Sequence, residues 1–97
     1  MKTSVIFRTY KKDGDVIALF PELPADSSRW HCLSYQSIGR HGAASCCIDP
    51  DTRPSTKKEV ETLSRELRKI GYDLTVKRRL SRAMDSRRIA AFQSAAS

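Results

Sequence analysis

Apolar and polar positions alternate with a period of two over Thr3–Tyr10. Val5, Phe7 and Thr9 fall on one face, and Ile6, Arg8 and Tyr10 on the other. This pattern predicts a strand. Lys12-Asp13-Gly14-Asp15 follows. Asp-Gly tolerates the positive φ of a tight turn, so residues 16–20 are expected to return as the second strand of a hairpin. Pro21 is expected to end that strand, because proline cannot donate to a ladder. Residues 22–29 read as a loop. Alternation resumes over residues 30–38, where Trp30, Cys32, Ser34 and Gln36 oppose His31, Leu33, Tyr35 and Ser37. Gly39-Arg40-His41-Gly42 is expected to break regular structure. Residues 43–48 read equally as a short strand, a helical turn or a packed loop. Residues 49–54, with two prolines, read as a connector.

The period changes at Thr56. Thr56-Lys57-Lys58-Glu59 matches a capping box, in which the Thr and Glu side chains satisfy unpaired backbone N–H groups, with Ser55 an alternative cap. Val60, Leu63, Leu67 and Ile70 recur at helical spacing and form one apolar stripe, against a back of Lys57, Lys58, Glu61, Arg65 and Arg68. Gly71 supplies the left-handed residue that ends the helix. Tyr72 falls where a Schellman motif places its apolar contact, against Leu67. Residues 72–80 read as a fourth strand, with Tyr72, Leu74 and Val76 inward. Met84, Ile89 and Phe92 make no clean stripe, so residues 81–97 are expected as a frayed helix or a disordered tail. The fold class is α+β, in the order β-β-β-α-β. It is a small antiparallel-leaning sheet with one helix packed on one face, forming a single domain over 1–80, followed by a basic C-terminal tail over 81–97. Both faces of the first hairpin carry apolar residues. The face away from the helix is therefore expected to be covered too, by the tail, by residues 43–54 or by a second subunit.

Length and composition agree with one modest globular core: 97 residues, 39% hydrophobic and 30% charged. No apolar run approaches a membrane span, and polar Arg8 and Thr9 interrupt the start before a secretory core can form. A cytosolic location is expected. Three cysteines, Cys32, Cys46 and Cys47, argue against a disulfide framework. The net charge is +7, and residues 77–97 hold six bases against one acid while residues 1–76 hold twelve against ten. Such a segment suits an anionic partner. Lys77, Arg78, Arg79, Arg82, Arg87 and Arg88 are the candidate nucleic-acid contacts. No aromatic residue interleaves with them, so base stacking is weak. The competing reading is a solvated strand end and tail.

The remaining chemistry is sparse. His31, Cys32, His41, Cys46 and Cys47 hold the soft zinc-ligand atoms within seventeen positions. Their spacing matches no paired-ligand pattern, and neighbours on a strand face opposite ways. No metal and no cofactor is expected. A Cys–His nucleophile, Cys32 or Cys46 with His41, lacks any orienting motif. Asp13/Asp15 and Asp49/Asp51 read as turn chemistry, and there is no phosphate loop or dinucleotide fingerprint. An enzyme is not expected. Arg40 and His41, bracketed by Gly39 and Gly42, are the candidate partner-binding loop. The alternative is a turn needing positive φ at the glycines.

Two resemblances add to this reading. Residues 1–8, Asp15-Val-Ile-Ala-Leu-Phe-Pro-Glu-Leu-Pro-Ala-Asp-Ser, Cys32, Ser34-Tyr35, Gly39-Arg-His-Gly-Ala, Thr52-Arg-Pro-Ser-Thr and Ile70-Gly-Tyr-Asp-Leu resemble a family of small proteins carried by bacterial genomes, plasmids and phages. Arg40 departs from that family's Gln. The resemblance implies a mobile-element setting and brings no activity and no functional residue. The hairpin running into Phe20-Pro21-Glu22-Leu23-Pro24 is also similar to the start of HicB-type antitoxins, which then continue differently. Together these readings lead to a binding or regulatory protein that docks on a macromolecule, a protein partner first. Nucleic acid at the basic end, a small zinc module and a homodimer are the alternatives.

Overall fold

The structure, a computed structural model, describes residues 2–25, 30–36, 40–45 and 49–96. It is α+β, with six strands and two helices among these described residues: β1 (Thr3–Tyr10), β2 (Val16–Pro24), β3 (His31–Gln36), β4 (Arg40–Ser45), β5 (Thr52–Pro54), α1 (Lys57–Ile70), β6 (Leu74–Lys77) and α2 (Arg82–Ala96). The strand order is β4-β3-β2-β1-β5, with β6 also pairing β1. Every pair is antiparallel except β1 with β6. Thus β1 is the central strand. Its N-terminal half meets β6 from Thr3↔Leu74 to Ile6↔Lys77, and its C-terminal half meets β5 from Arg8↔Pro54 to Tyr10↔Thr52.

The first hairpin forms as the alternation predicts. Ile6↔Leu19, Phe7↔Ala18 and Arg8↔Ile17 pair across it, and Gly14 takes a φ of 77° in the turn. Helix α1 also follows its sequence signals. The Thr56 Oγ1 accepts the Glu59 N–H, and the Glu59 carboxylate accepts the Thr56 N–H at 2.7 Å. At the other end Tyr72 N–H donates to the Leu67 carbonyl and Gly71 N–H to that of Arg68, the two bonds of a Schellman motif.

The core has two layers, one on each side of the sheet. Leu63 and Leu67 of α1 bury against Val5, Phe7, Ala18, Phe20, Tyr35 and Leu74. On the opposite face Met84 of α2 packs with Ile6, Ile17, Leu19 and Cys32. The expected β-β-β-α-β order is therefore incomplete in three places. Residues 40–42, expected to break regular structure, lie in β4, and Thr52–Pro54 form a short strand. Pro21 does not end β2. The register shifts between Phe20 and Pro24, so Pro21, Glu22 and Leu23 bulge out of the ladder and a missing donor costs no bond there. The segment expected as a basic helical or disordered tail is helix α2, and it covers the second sheet face. Two expected core residues are at the rim instead: Ile70 is 50% exposed and Val76 46%. Both sit at the last position or near the end of their elements, past the reach of the opposing layer.

Candidate functional site

The sheet ends at β4. His41, expected in a loop, is an extended residue opposite Tyr35. Its ring lies edge-on to Tyr35 at 4.8 Å, and its Nε2 is 2.9 Å from the Tyr72 hydroxyl. Tyr72 stacks on Phe20 at 4.9 Å and 12°. The Tyr35 hydroxyl donates to the Glu66 carboxylate. His41 is thus tied to the α1 side, and an imidazole committed to a tyrosine hydroxyl is a strut for the edge strand. Gly42 has no positive φ, and a Cβ there would meet only Ser34 Oγ at 3.8 Å, an ordinary contact. The bend reading of this glycine fails because antiparallel pairing keeps it extended. The Arg40 side chain and Gly39 lie outside the described residues.

Beyond Gly42 the outer strand carries only Ala43, Ala44 and Ser45, and among the described residues no strand pairs with its outer edge. Trp30, one residue before β3 and 62% exposed, stands at the same end of the sheet. The opposite margin is different. It is split between β5 and β6, three and four residues long, which end in Pro54 and Lys77.

On the α2 face a groove of about 640 Å³ opens where the helix does not reach. Its floor holds Arg8, Tyr10, Ile17, Ser34 and Gln36, and Thr52 and Asp49 also line it. The Arg8 Nε donates to Thr52 Oγ1 at 3.1 Å, and its Nη2 donates to the Thr52 carbonyl at 2.9 Å. Burial, then the charges of Asp49 and Asp13, push the Tyr10 hydroxyl above its ordinary pKa, so it remains a proton donor at neutral pH. The sequence reading did not single out Arg8. The available signal was a cation at an inward position of the central strand.

The basic set is divided by the fold. Lys77, Arg78, Arg79 and Arg82 are exposed. Arg87 Nη1 pairs with the Glu22 carboxylate at 2.8 Å. Arg88 is 1% exposed and donates to the Pro21 carbonyl and to Asp85. Its charge is used inside the protein, so it is withdrawn from the phosphate-binding candidates.

The soft-ligand residues are not gathered. Cys32 is buried on the α2 face, whereas His41 lies on the α1 face, so neither a shared ion nor a Cys32–His41 nucleophile is within reach. His31 pairs with Ser45, four positions along β4 from His41. Among the described residues no group of three metal-ligating side chains converges. Cys46 and Cys47 lie outside the described residues. The carboxylate pairs do turn chemistry: the Asp13 carboxylate accepts the Asp15 N–H, and that of Asp49 the Asp51 N–H. Among the described residues no helix is long and apolar enough to cross a membrane. No family model, no curated protein and no solved structure matches the chain.

Proposed function

We propose that the chain is a non-catalytic binding protein that takes up an extended segment of a partner protein as an added strand on the outer edge of β4. The observation that carries this reading is the asymmetry of the sheet margins. Soluble proteins guard edge strands with prolines, charges and short length. The β5–β6 margin has all three, whereas β4 is six residues long and its stretch Gly42–Ala44 carries neither a proline nor a charge. An added strand gains affinity from main-chain hydrogen bonds, and small side chains at Gly42, Ala43 and Ala44 leave its approach open on both faces. Exposed Trp30 beside this end is the residue type that anchors interfaces. The net charge of +7 favours an acidic segment. The resemblance to small proteins of bacterial mobile elements supports a search for the partner in a phage, a plasmid or the bacterial host.

The test is a photo-crosslinker at position 43 in a bacterial extract, compared with one at Arg65 on the outer face of α1. Adducts specific to position 43, mapped to an extended segment, together with slowed amide exchange over residues 42–45 in the purified complex, support the reading. Equal adducts at both positions, or unchanged exchange, would overturn it. Adducts to a second copy of this chain would make the partner a homodimer.

One observation favours a second reading, contact with nucleic acid. Lys77, Arg78, Arg79 and Arg82 present four exposed cations within six positions, and none pairs with an acid among the described residues. Four phosphate contacts give a slope of log affinity on log salt of at most about −3.6 on duplex DNA. Binding absent at low salt, or unchanged when the four are replaced by alanine, would eliminate this reading.

A further inference from the structure

Arg8 is oddly placed for a solubilising charge. It lies on β1, the strand paired on both sides, two residues from fully buried Ile6 and on the same face. Half-buried cations are normally held by a carboxylate, yet among the described residues no carboxylate pairs with Arg8. It is instead fixed from one side. Thr52 accepts from Nε and Nη2, and the Thr52 hydroxyl donates in turn to the Asp49 carbonyl at 2.6 Å. That chain sets the guanidinium before any ligand arrives and leaves Nη1 without a partner among the described residues. Gln36 faces the same groove across Ile17, and Tyr10 follows Arg8 on the same face of β1. Neither the Gln36 amide nor the Tyr10 hydroxyl makes a hydrogen bond to a described residue. A fixed cation, an amide and a hydroxyl therefore converge over an apolar floor of Ile17, Leu19 and Ala44.

We propose that this groove binds a small organic carboxylate, held by Arg8 through Nη1 and by Gln36 and Tyr10, with its apolar body on Ile17 and Leu19. Guanidinium and carboxylate match in charge and planar geometry. Asp49 also lines the groove, and its carboxylate accepts the Asp51 N–H at 2.8 Å. That negative charge penalises a dianionic phosphate more than a singly charged carboxylate. The groove volume of about 640 Å³ is that of a small-molecule site. The groove reaches β4 through Gly42, Ala43 and Ala44, but its anchoring groups, Arg8, Gln36 and Tyr10, lie on β1 and β3 and take no part in strand addition at the outer edge.

The experiment is a nuclear magnetic resonance titration of the isotope-labelled full chain with N-acetylalanine, with its uncharged amide, and with inorganic phosphate. The expected result is saturable shifts at Arg8 Nε–H, the Gln36 side-chain amide and Gly42 with the acid alone. R8Q should weaken the acid roughly tenfold or more, as expected for losing a charged hydrogen bond, while signals on the α1 side stay unchanged. Should R8Q fail to fold, Q36A serves, since the Gln36 side-chain amide makes no hydrogen bond to a described residue and the substitution keeps its backbone pairing. No saturable shift with the acid, equal shifts with the amide, equal or tighter binding of phosphate, or undiminished affinity in the variant would each overturn the proposal.

Discussion

Arg88 on α2 donates from Nη1 to the carbonyl of Pro21, 2.9 Å away, from a side chain that is 1% exposed. The same nitrogen reaches Asp85 Oδ1 at 2.8 Å. The β2 bulge leaves the Pro21 carbonyl without a ladder partner, and Arg88 supplies the missing donor. Neighbouring Arg87 holds Glu22 of the same bulge. Two arginines thus fasten the second helix to the bulged stretch of β2. R88A should lower stability by roughly 2–5 kcal/mol, because it leaves a buried carbonyl unpaired and opens a void. R82A, at an exposed position, should stay within about 0.5 kcal/mol. Urea unfolding checks both, and equal losses would mean that the latch is not formed.

Removal of residues 81–97 should unfold or strongly loosen the chain rather than trim a tail. The truncation uncovers Ile6, Leu19 and Cys32, which pack with Met84. Thiol labelling reads this directly in a C46S/C47S background. Cys32, 1% exposed, should react slowly in the full chain and much faster in the truncated one or in M84A. Unchanged labelling would show that α2 does not cover this face. A loss of nucleic-acid binding on truncation is therefore no proof of contact, and substitution of Lys77, Arg78, Arg79 and Arg82 is the informative test.

On the first face, L67A should cost roughly 2–5 kcal/mol, the range for a fully buried leucine. I70A should cost less, under about 1.5 kcal/mol, since half of that side chain is in water. R65A, on the exposed back of α1, should cost well under about 1 kcal/mol. The ranking Leu67, Ile70, Arg65 in urea midpoints is the check, and three equal losses would mean that α1 is not docked by this stripe.

Acid should act in part through Glu59. The Arg53 guanidinium first, then the Thr56 N–H, hold its carboxyl down from 4.5 to about 2. The ion pair is 2.9 Å long. Because the folded value lies below the unfolded one, the stabilisation is fully present above about pH 4.5 and is lost as pH falls toward 2. The wild-type advantage over E59Q should therefore shrink across that window. A constant difference from pH 6 to about 2 would show that the pair does not persist in solution.

Local signals carried far in this chain. Asp13-Gly14 set the first hairpin, Thr56 and Glu59 the start of α1, and Gly71 with Tyr72 its end, because each requirement is met by residues a few positions away. The sites were less legible. His41 and Gly42 look like loop residues until Tyr35 arrives opposite them to form a ladder. The six bases of residues 77–97 look equivalent until packing buries one, pairs another and leaves four in water.

The sequence by itself determined the strand faces of β1 and β3, the limits of α1 and, apart from Ile70, its docking stripe, since periodicity and capping are properties of neighbours along the chain. Tertiary structure alone decided three things. It set α2 on the second sheet face although that helix has no clean apolar stripe, because Met84 packs there and Arg88 finds the Pro21 carbonyl in the β2 bulge, sixty-odd positions away. It drew β5 and β6 to opposite halves of β1, because a central strand has two halves to satisfy on its open side. It left Arg8 facing a groove, because β1 and β5 place Thr52 against it while α2 packs farther along the sheet.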